Sequence, residues 1–388
     1  MRGLTQLMPF DRRQSQQPPG FVAFGDSYSA GIGTGVDGVE DECRLGSHAY
    51  PVLIFTDLAE SQAPGTATFQ FLSCTGSTTS NVLSGGDHSQ VDKFNKSINA
   101  DFAVLSIGGN DLGFFSVMNA CIFRFYSFNS GSCETALQFV TDQIESSDFA
   151  QRLEMVIMEI LDTVQWEKRP WFIITVTGYA RFFSVETDEC DNCTLGVWWQ
   201  GPKLKRDRMN DMVVAVNEKL RSSIDAVNSR FTTPKVLFVD YDAKFEGHRF
   251  CEPGVMEPAT ETWFFLVGGK DNNPNVTDPT PAPNATTVGI EYGASSKTLS
   301  PLSPLADPET CLGPAERSGD WGLLALCYMA RAKRDYPSLE FTAEDVMIQN
   351  SIWYVPTYYG KTFHPRSLGH EVIRDEIYRS WSQLDTVR

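Results

Sequence analysis

Five short, mostly apolar runs punctuate this chain, at 21–24, 66–72, 102–107, 171–176 and 236–239. Each predicts a strand, and the nearly all-apolar third run predicts one buried on both faces. Helical spacing fills the intervals. Residues 47–60 carry apolar positions near a helical repeat, with Pro51 early, where a first turn tolerates it. Leu153, Ile157, Ile160, Leu161 and Val164 mark one amphipathic helix. A longer one carries Met209, Met212, Val213, Val216, Leu220, Ile224, Val227 and Phe231 three or four residues apart. Further helices are predicted over 321–336 and, at the end of the chain, about 367–384. Strands alternating with helices predict an α/β fold around a mostly parallel sheet. The pattern breaks down after Cys251, and 272–308 is rich in Pro, Thr, Ser and Asn, as a long surface loop is. The expected organisation is a polar N-terminal tail (1–18) and a single domain (19–388) with an irregular insertion at about 252–340.

Composition narrows the class. With 41% hydrophobic and 21% charged residues, the 388-residue chain is an ordinary globular one. No run of 18 apolar residues predicts a transmembrane segment. The net charge of -17, spread along the chain, reads as a solvated surface that repels phosphate backbones, which argues against a nucleic acid partner. Nine cysteines and four Asn-x-Ser/Thr sequons, at Asn95, Asn192, Asn275 and Asn284, favour a secreted glycoprotein. A cytosolic protein with buried thiols is the alternative. The first 20 residues are polar and do not form a signal peptide as written, so a truncated or misplaced start is expected.

The chemistry gathers at the ends of the predicted strands, where ligands bind in an open parallel sheet. The first strand runs into Gly25-Asp26-Ser27-Tyr28, a tight turn with a serine at its tip. The second leads to Cys74-Thr75-Gly76 and the third to Gly108-Gly109-Asn110-Asp111. Serine needs a base to become a nucleophile at neutral pH, and histidine is the usual one. Of five histidines, His364 lies in a loop before the last helix, followed by Pro365, which fixes the exit of the chain. His370 falls inside that helix, where packing or a structural hydrogen bond is expected. Acyl transfer also needs donors for an oxyanion, and glycine-turn N–H groups and an Asn amide supply them. Each turn alone is an ordinary turn, but the four together are a chemical set.

That set resembles the four blocks of the SGNH (GDSL-type) hydrolase family, in order and over nearly the whole chain. Cys74-Thr75-Gly76, His364-Pro365 and Gly369-His370 are most similar to its secreted esterase branch in actinomycetes and filamentous fungi. The resemblance implies a flavodoxin-like α/β/α sandwich with about five parallel strands. It also implies a serine esterase or lipase without cofactor or metal. Ser27 would be nucleophile and His364 base, with Ser27, Gly76 and Asn110 forming the oxyanion hole. Family members usually have Asp three residues before the histidine, and this chain has Lys361 there. A Ser–His dyad is therefore expected, with a main-chain carbonyl near Lys361 orienting His364. Small esters, lipids and acylated polysaccharides are the implied substrates, and a monomer is expected. Acyl transfer to a sugar or alcohol acceptor and a catalytically weak binding module are the alternatives.

The resemblance also implies the disulfides Cys43–Cys74 and Cys121–Cys133. Proximity in sequence adds Cys311–Cys327, and Cys251 with either Cys190 or Cys193, leaving one cysteine over. Cys190, Cys193, His248 and Cys251 have a spacing that a zinc site uses, but oxidised cysteines are the preferred reading. The P-loop-like Gly360-Lys361-Thr362 fails because position 355 is valine. Phe114, Phe115, Phe123, Phe125, Tyr126 and Phe128 either wall an acyl pocket or form the core of an inserted segment. Trp198 and Trp199 are expected to pack.

Overall fold

The computed structural model describes residues 19–36, 40–86, 88–118, 121, 133–192, 203–257, 259–266, 269–276, 307–314, 327, 330–331, 334 and 357–384. Its centre is a parallel sheet of β1 (Gly20–Gly25), β2 (Thr68–Phe71), β3 (Phe102–Ser106), β4 (Ile173–Thr177) and β5 (Val236–Val239). The strand order is β2-β1-β3-β4-β5, and every pair is parallel. β1, β3 and β4 are buried along their whole length, while the edge strands β2 and β5 are only partly so. Central strands covered on both faces thus produce the unbroken apolar runs, as in parallel sheets generally. Phe21 stacks between Phe69 and Phe102, with ring centroids 4.5 and 4.8 Å away, and Trp381 meets Phe102 edge-on at 5.0 Å. Aromatic contacts of this kind add roughly 0.5–1.5 kcal/mol each beyond the area they bury.

The helices are α1 (Ser27–Ala30), α2 (Tyr50–Glu60), α3 (Thr79–Val82), α4 (Gln90–Lys93), α5 (Phe114–Val117), α6 (Cys133–Glu145), α7 (Ser147–Thr163), α8 (Lys203–Asn228), α9 (Thr357–Gly360) and α10 (Ser367–Leu384). α2 packs on α10, and α7 packs on α8, so helices flank the sheet. α2 begins at Tyr50 and not at 47, with Pro51 in its first turn and Ala49 as N-cap. α8 begins at Lys203, before its apolar stripe; in its first turns Leu204 is exposed while Arg206 is buried and donates to the Ser184 and Thr187 carbonyls. Cys327, Ala330, Arg331 and Arg334, the described residues of the predicted 321–336 helix, are helical.

Disulfides join Cys43 to Cys74, Cys121 to Cys133, Cys190 to Cys251 and Cys311 to Cys327. The zinc-compatible set is thereby broken up: two of its cysteines bond each other, and the His248 ring stacks on Trp263 at 3.6 Å. Asn95 and Asn275 are exposed. Cys193, Asn284, Trp198, Trp199, Phe123, Phe125, Tyr126 and Phe128 lie outside the described residues, as do the side chains of Phe115 and Asn192. Among the described residues no helix is long and apolar enough to cross a membrane.

In this strand order the chain leaves β1 in one direction to reach β2, then crosses back to β3. The crevice between the carboxyl ends of β1 and β3 is the switch point at which such sheets bind ligands. Ser27 follows β1 directly, and Gly108 to Asn110 follow β3.

Candidate active site

At the end of β1 the chain must turn at once, and Gly25 permits it. Its φ is +126°, and a β-carbon there would lie 2.1 Å from the Ser106 carbonyl oxygen, so only glycine fits. Gln90 clamps this residue, accepting from Gly25 N–H and donating to Gly25 O, both at 2.8 Å. Asp26 then caps α1 through Tyr28 N–H (3.0 Å), and Ser27 opens the helix.

His364 arrives from the far end of the chain, 337 residues away, and its Nε2 stands 2.7 Å from Ser27 Oγ. Its Nδ1 faces the Thr362 carbonyl at 3.1 Å. A carbonyl only accepts, so Nδ1 carries the proton and Nε2 is left to accept from the serine hydroxyl. Burial pushes this imidazole down to about 4, and the neighbouring Arg44 charge adds to that effect against the main-chain bonds that favour the cation. The ring is therefore neutral at physiological pH and able to take a proton. The main-chain orienting group is the carbonyl of Thr362, one residue after Lys361. Lys361 itself is wholly buried, its Nζ 4.7 Å from the centre of the Phe265 ring.

A segment without regular structure holds the histidine loop in place. Phe363 N–H donates to Phe265 O (2.8 Å), Phe265 N–H to His364 O (2.9 Å) and Arg366 N–H to Trp263 O (2.7 Å). Phe363 sits at φ +65°, which is strained for an aromatic residue. Its carbonyl accepts from Tyr28 Oη (3.0 Å), and its ring packs against Phe182, Phe183 and Phe250. Residues 263–265, part of the predicted irregular insertion, are thus paired with the His364 loop.

The other two turns converge on the same end of the sheet. The Gly76 loop is fastened to the loop before α2 by the Cys43–Cys74 bridge and to β1 by Cys74 N–H donating to Gly25 O at 3.0 Å. Asn110 Nδ2 donates to Ser77 O at 2.9 Å, which leaves its second amide hydrogen available to the cleft. Asn110 lines that cleft, and Gly76 stands outside its walls, one residue from the Asn110 contact. Asp111 turns away and accepts from both the N–H and the hydroxyl of Thr79.

An open cleft lies beside Ser27 and His364. Apolar side chains wall it: Leu112, Phe114, Val140, Phe182, Met212 and Val216 among them. Of the aromatics singled out in the sequence, Phe114 is the described one that does so. Met212, Val213 and Val216 read as core positions of an amphipathic helix, and the helical repeat gave no sign that one stretch of that stripe faces a cleft. Tyr179, at the carboxyl end of β4, also lines it and was missed. The strand-end argument applied to β1 and β3 would have found it if extended to β4. His370 is structural: it is buried in α10, its Nδ1 accepts from Tyr50 N–H (3.2 Å), and burial lowers it to about 3.

The chain is 30% identical to Lipase 1 of Streptomyces coelicolor over 242 residues, covering 61% of this chain and 76% of that protein. The chain belongs to the SGNH hydrolase family. It is a carboxylic ester hydrolase of that family, and its parallel five-strand sheet flanked by helices matches the SGNH fold. A lipase of Streptomyces rimosus is 27% identical over 237 residues, 61% of this chain and 74% of its own length. The crystal structure of phospholipase A1 from Streptomyces albidoflavus NA297 is similar at 27% identity. It covers 64% of this chain and 87% of that one, with a TM-score of 0.47. No family model matches the chain.

Proposed function

We propose that this SGNH hydrolase cleaves fatty acyl esters through an acyl-enzyme on Ser27, with His364 as base in a Ser–His dyad. The observation that carries this is the 2.7 Å contact of His364 Nε2 with Ser27 Oγ, in the tautomer that the Thr362 carbonyl imposes. Ser27 Oγ attacks the ester carbonyl as Nε2 takes its proton. The oxyanion of the tetrahedral intermediate is held by Asn110 Nδ2 and Ser27 N–H, which line the cleft, with Gly76 N–H beside it as the third donor that the family resemblance adds. Collapse expels the alcohol, which leaves with the proton from Nε2. Water, deprotonated by the same nitrogen, then releases the acid. A base held near 4 takes the hydroxyl proton reluctantly and returns it readily, so stabilisation of the oxyanion carries much of the barrier.

The apolar walls of the cleft favour an acyl chain over a sugar at that position. The lipases among the relatives support the same substrate class. Four disulfides, together with the resemblance, support a secreted enzyme.

Intact-mass labelling with a small fluorophosphonate tests the nucleophile. One adduct is expected on the wild type and none on Ser27→Ala, with p-nitrophenyl esters of longer chains turned over better than the acetate. A folded wild type that takes no label removes the dyad. Asn110→Ala should lower kcat by roughly 10²- to 10³-fold, the usual cost of losing an oxyanion donor.

A further inference from the structure

We propose that Tyr179 is a positioning residue for ester hydrolysis: its phenol ties the turn that carries Ser27 to the turn that carries Asn110. The proposal rests on Asn110 being an oxyanion donor. Tyr179 Oη accepts from Gly109 N–H at 3.1 Å and donates to Asp26 Oδ2 at 2.6 Å. Gly109 is the neighbour of Asn110, and Asp26 is the neighbour of Ser27. One hydroxyl, used once as donor and once as acceptor, therefore spans the switch crevice between the two turns.

Everything around the phenol holds it still. Asn217 on α8 clamps the Tyr179 backbone, its Oδ1 accepting from Tyr179 N–H (2.9 Å) and its Nδ2 donating to Tyr179 O (2.8 Å). The ring meets Tyr28 edge-on at 5.0 Å. On the far side, Asp26 Oδ1 receives Tyr28 N–H (3.0 Å) and Ser106 Oγ (3.1 Å), so the carboxylate cannot swing to follow another partner. The carboxylate and the phenol are both buried, and in such a site an unmatched polar group is costly enough to keep the chain of bonds intact. The Asn110 side chain's bond to Ser77 O points to the Gly76 loop and not to the nucleophile, and the main-chain bonds of Gly113 N–H to Asn110 O and Phe114 N–H to Gly109 O close the turn on itself. Without the phenol, the Gly109–Asn110 turn loses its register against Ser27. The amide then meets the oxyanion off-geometry, while the ester still enters the same apolar cleft.

A double-mutant cycle tests this. Tyr179→Phe keeps the ring and removes both bonds. It should lower kcat roughly 10- to 100-fold with KM little changed, the loss that a misplacement of about an ångström brings. In an Asn110→Ala background the same substitution should have almost no further effect on kcat, because the group it positions is gone. Equal effects of Tyr179→Phe in both backgrounds would overturn the proposal and leave the phenol a purely structural partner of Asp26. An unchanged kcat for Tyr179→Phe alone would overturn it as well. An unchanged kcat for Asn110→Ala is a different failure, of the oxyanion assignment itself, and takes this proposal with it. If the phenylalanine protein does not fold, 3,5-difluorotyrosine at position 179 keeps the shape and weakens the oxygen as an acceptor for Gly109. It should then lower kcat in the Asn110 protein and not in Asn110→Ala.

Discussion

Ser27 and His364 meet at 2.7 Å but are held by opposite means. The serine turn is local. It grows out of a fully buried strand, its sharp φ falls on a glycine, and its bonds go to the ends of adjoining strands and to Gln90. The histidine loop belongs to no strand. Its positive φ falls on Phe363, a residue that pays for that conformation in strain, and an aromatic cluster and the 263–265 segment hold it there. One half of the proposed dyad is thus fixed by the sheet and the other by a bed of irregular backbone. The proposed nucleophile should therefore be fragile to backbone change and robust to distant side-chain change. The proposed base should behave the other way round.

The largest effect expected of that contrast is Gly25→Ala. Its β-carbon meets backbone, which cannot move aside, at a φ that L residues avoid. A loss of about 3 kcal/mol or more is expected, read as a fall in melting temperature together with loss of labelling at Ser27. A stable, fully labelled variant would show that the turn is not built on this glycine.

Next comes Arg366→Met. Arg366 Nη1 donates to the carbonyls of Ala259 and Thr262, both at 2.7 Å, and so ties the irregular bed to the histidine loop. Its loss strands two acceptors and should cost about 2 kcal/mol. Activity should fall roughly tenfold as His364 shifts, with the sheet intact. Wild-type kcat in this variant would mean that Phe363 and its ring contacts hold the base alone.

The smallest effect is a pH shift. Burial lowers His364 to about 4, so the acid limb of kcat/KM should lie near there and not near the ordinary histidine value of 6.5. The stability linkage has the same direction. The unfolded ring binds its proton first, so the stability from a neutral buried histidine is complete above 6.5 and is lost as pH falls toward 4. His370, lowered to about 3, adds to it. Asp26 opposes it: burial raises that carboxyl to about 6, so its ionisation costs stability as pH rises from 3.8 through 6. Asp101, Asp111 and Glu257, raised by burial as well, act in the same direction as Asp26; the two deep histidine shifts are the larger effect, and the melting temperature should fall between pH 6.5 and 4. Asp26, held near 6 beside Ser27, is the other group that titrates there, so an acid limb at 6 to 7 that persists in Asp26→Asn would mean that His364 is solvated in solution and its loop open.

The sequence alone was enough for the sheet, because central strands buried on both faces leave continuous apolar runs that no other element explains as well. It was enough to put Gly25, Ser27 and Asn110 at strand ends too, since each is an identifiable side chain or glycine at or close behind a strand. His364 was legible from its chemistry and the family order, though not its contact with Ser27. The rest depended on tertiary structure. The acceptor that sets the histidine tautomer is a backbone carbonyl of Thr362, and every residue has a carbonyl, so nothing in the side-chain pattern marks it. Residues 263–265 have no periodicity because they pair with a loop and not with a sheet. Asn210 and Asn217 interrupt the apolar face of α8 to clamp the backbones of Phe183 and Tyr179, and a buried amide reads in sequence as a solvated one. Tyr179 reads as one more aromatic after a strand. Its bridging role exists only once the sheet has brought the ends of β1, β3 and β4 within reach of a single hydroxyl.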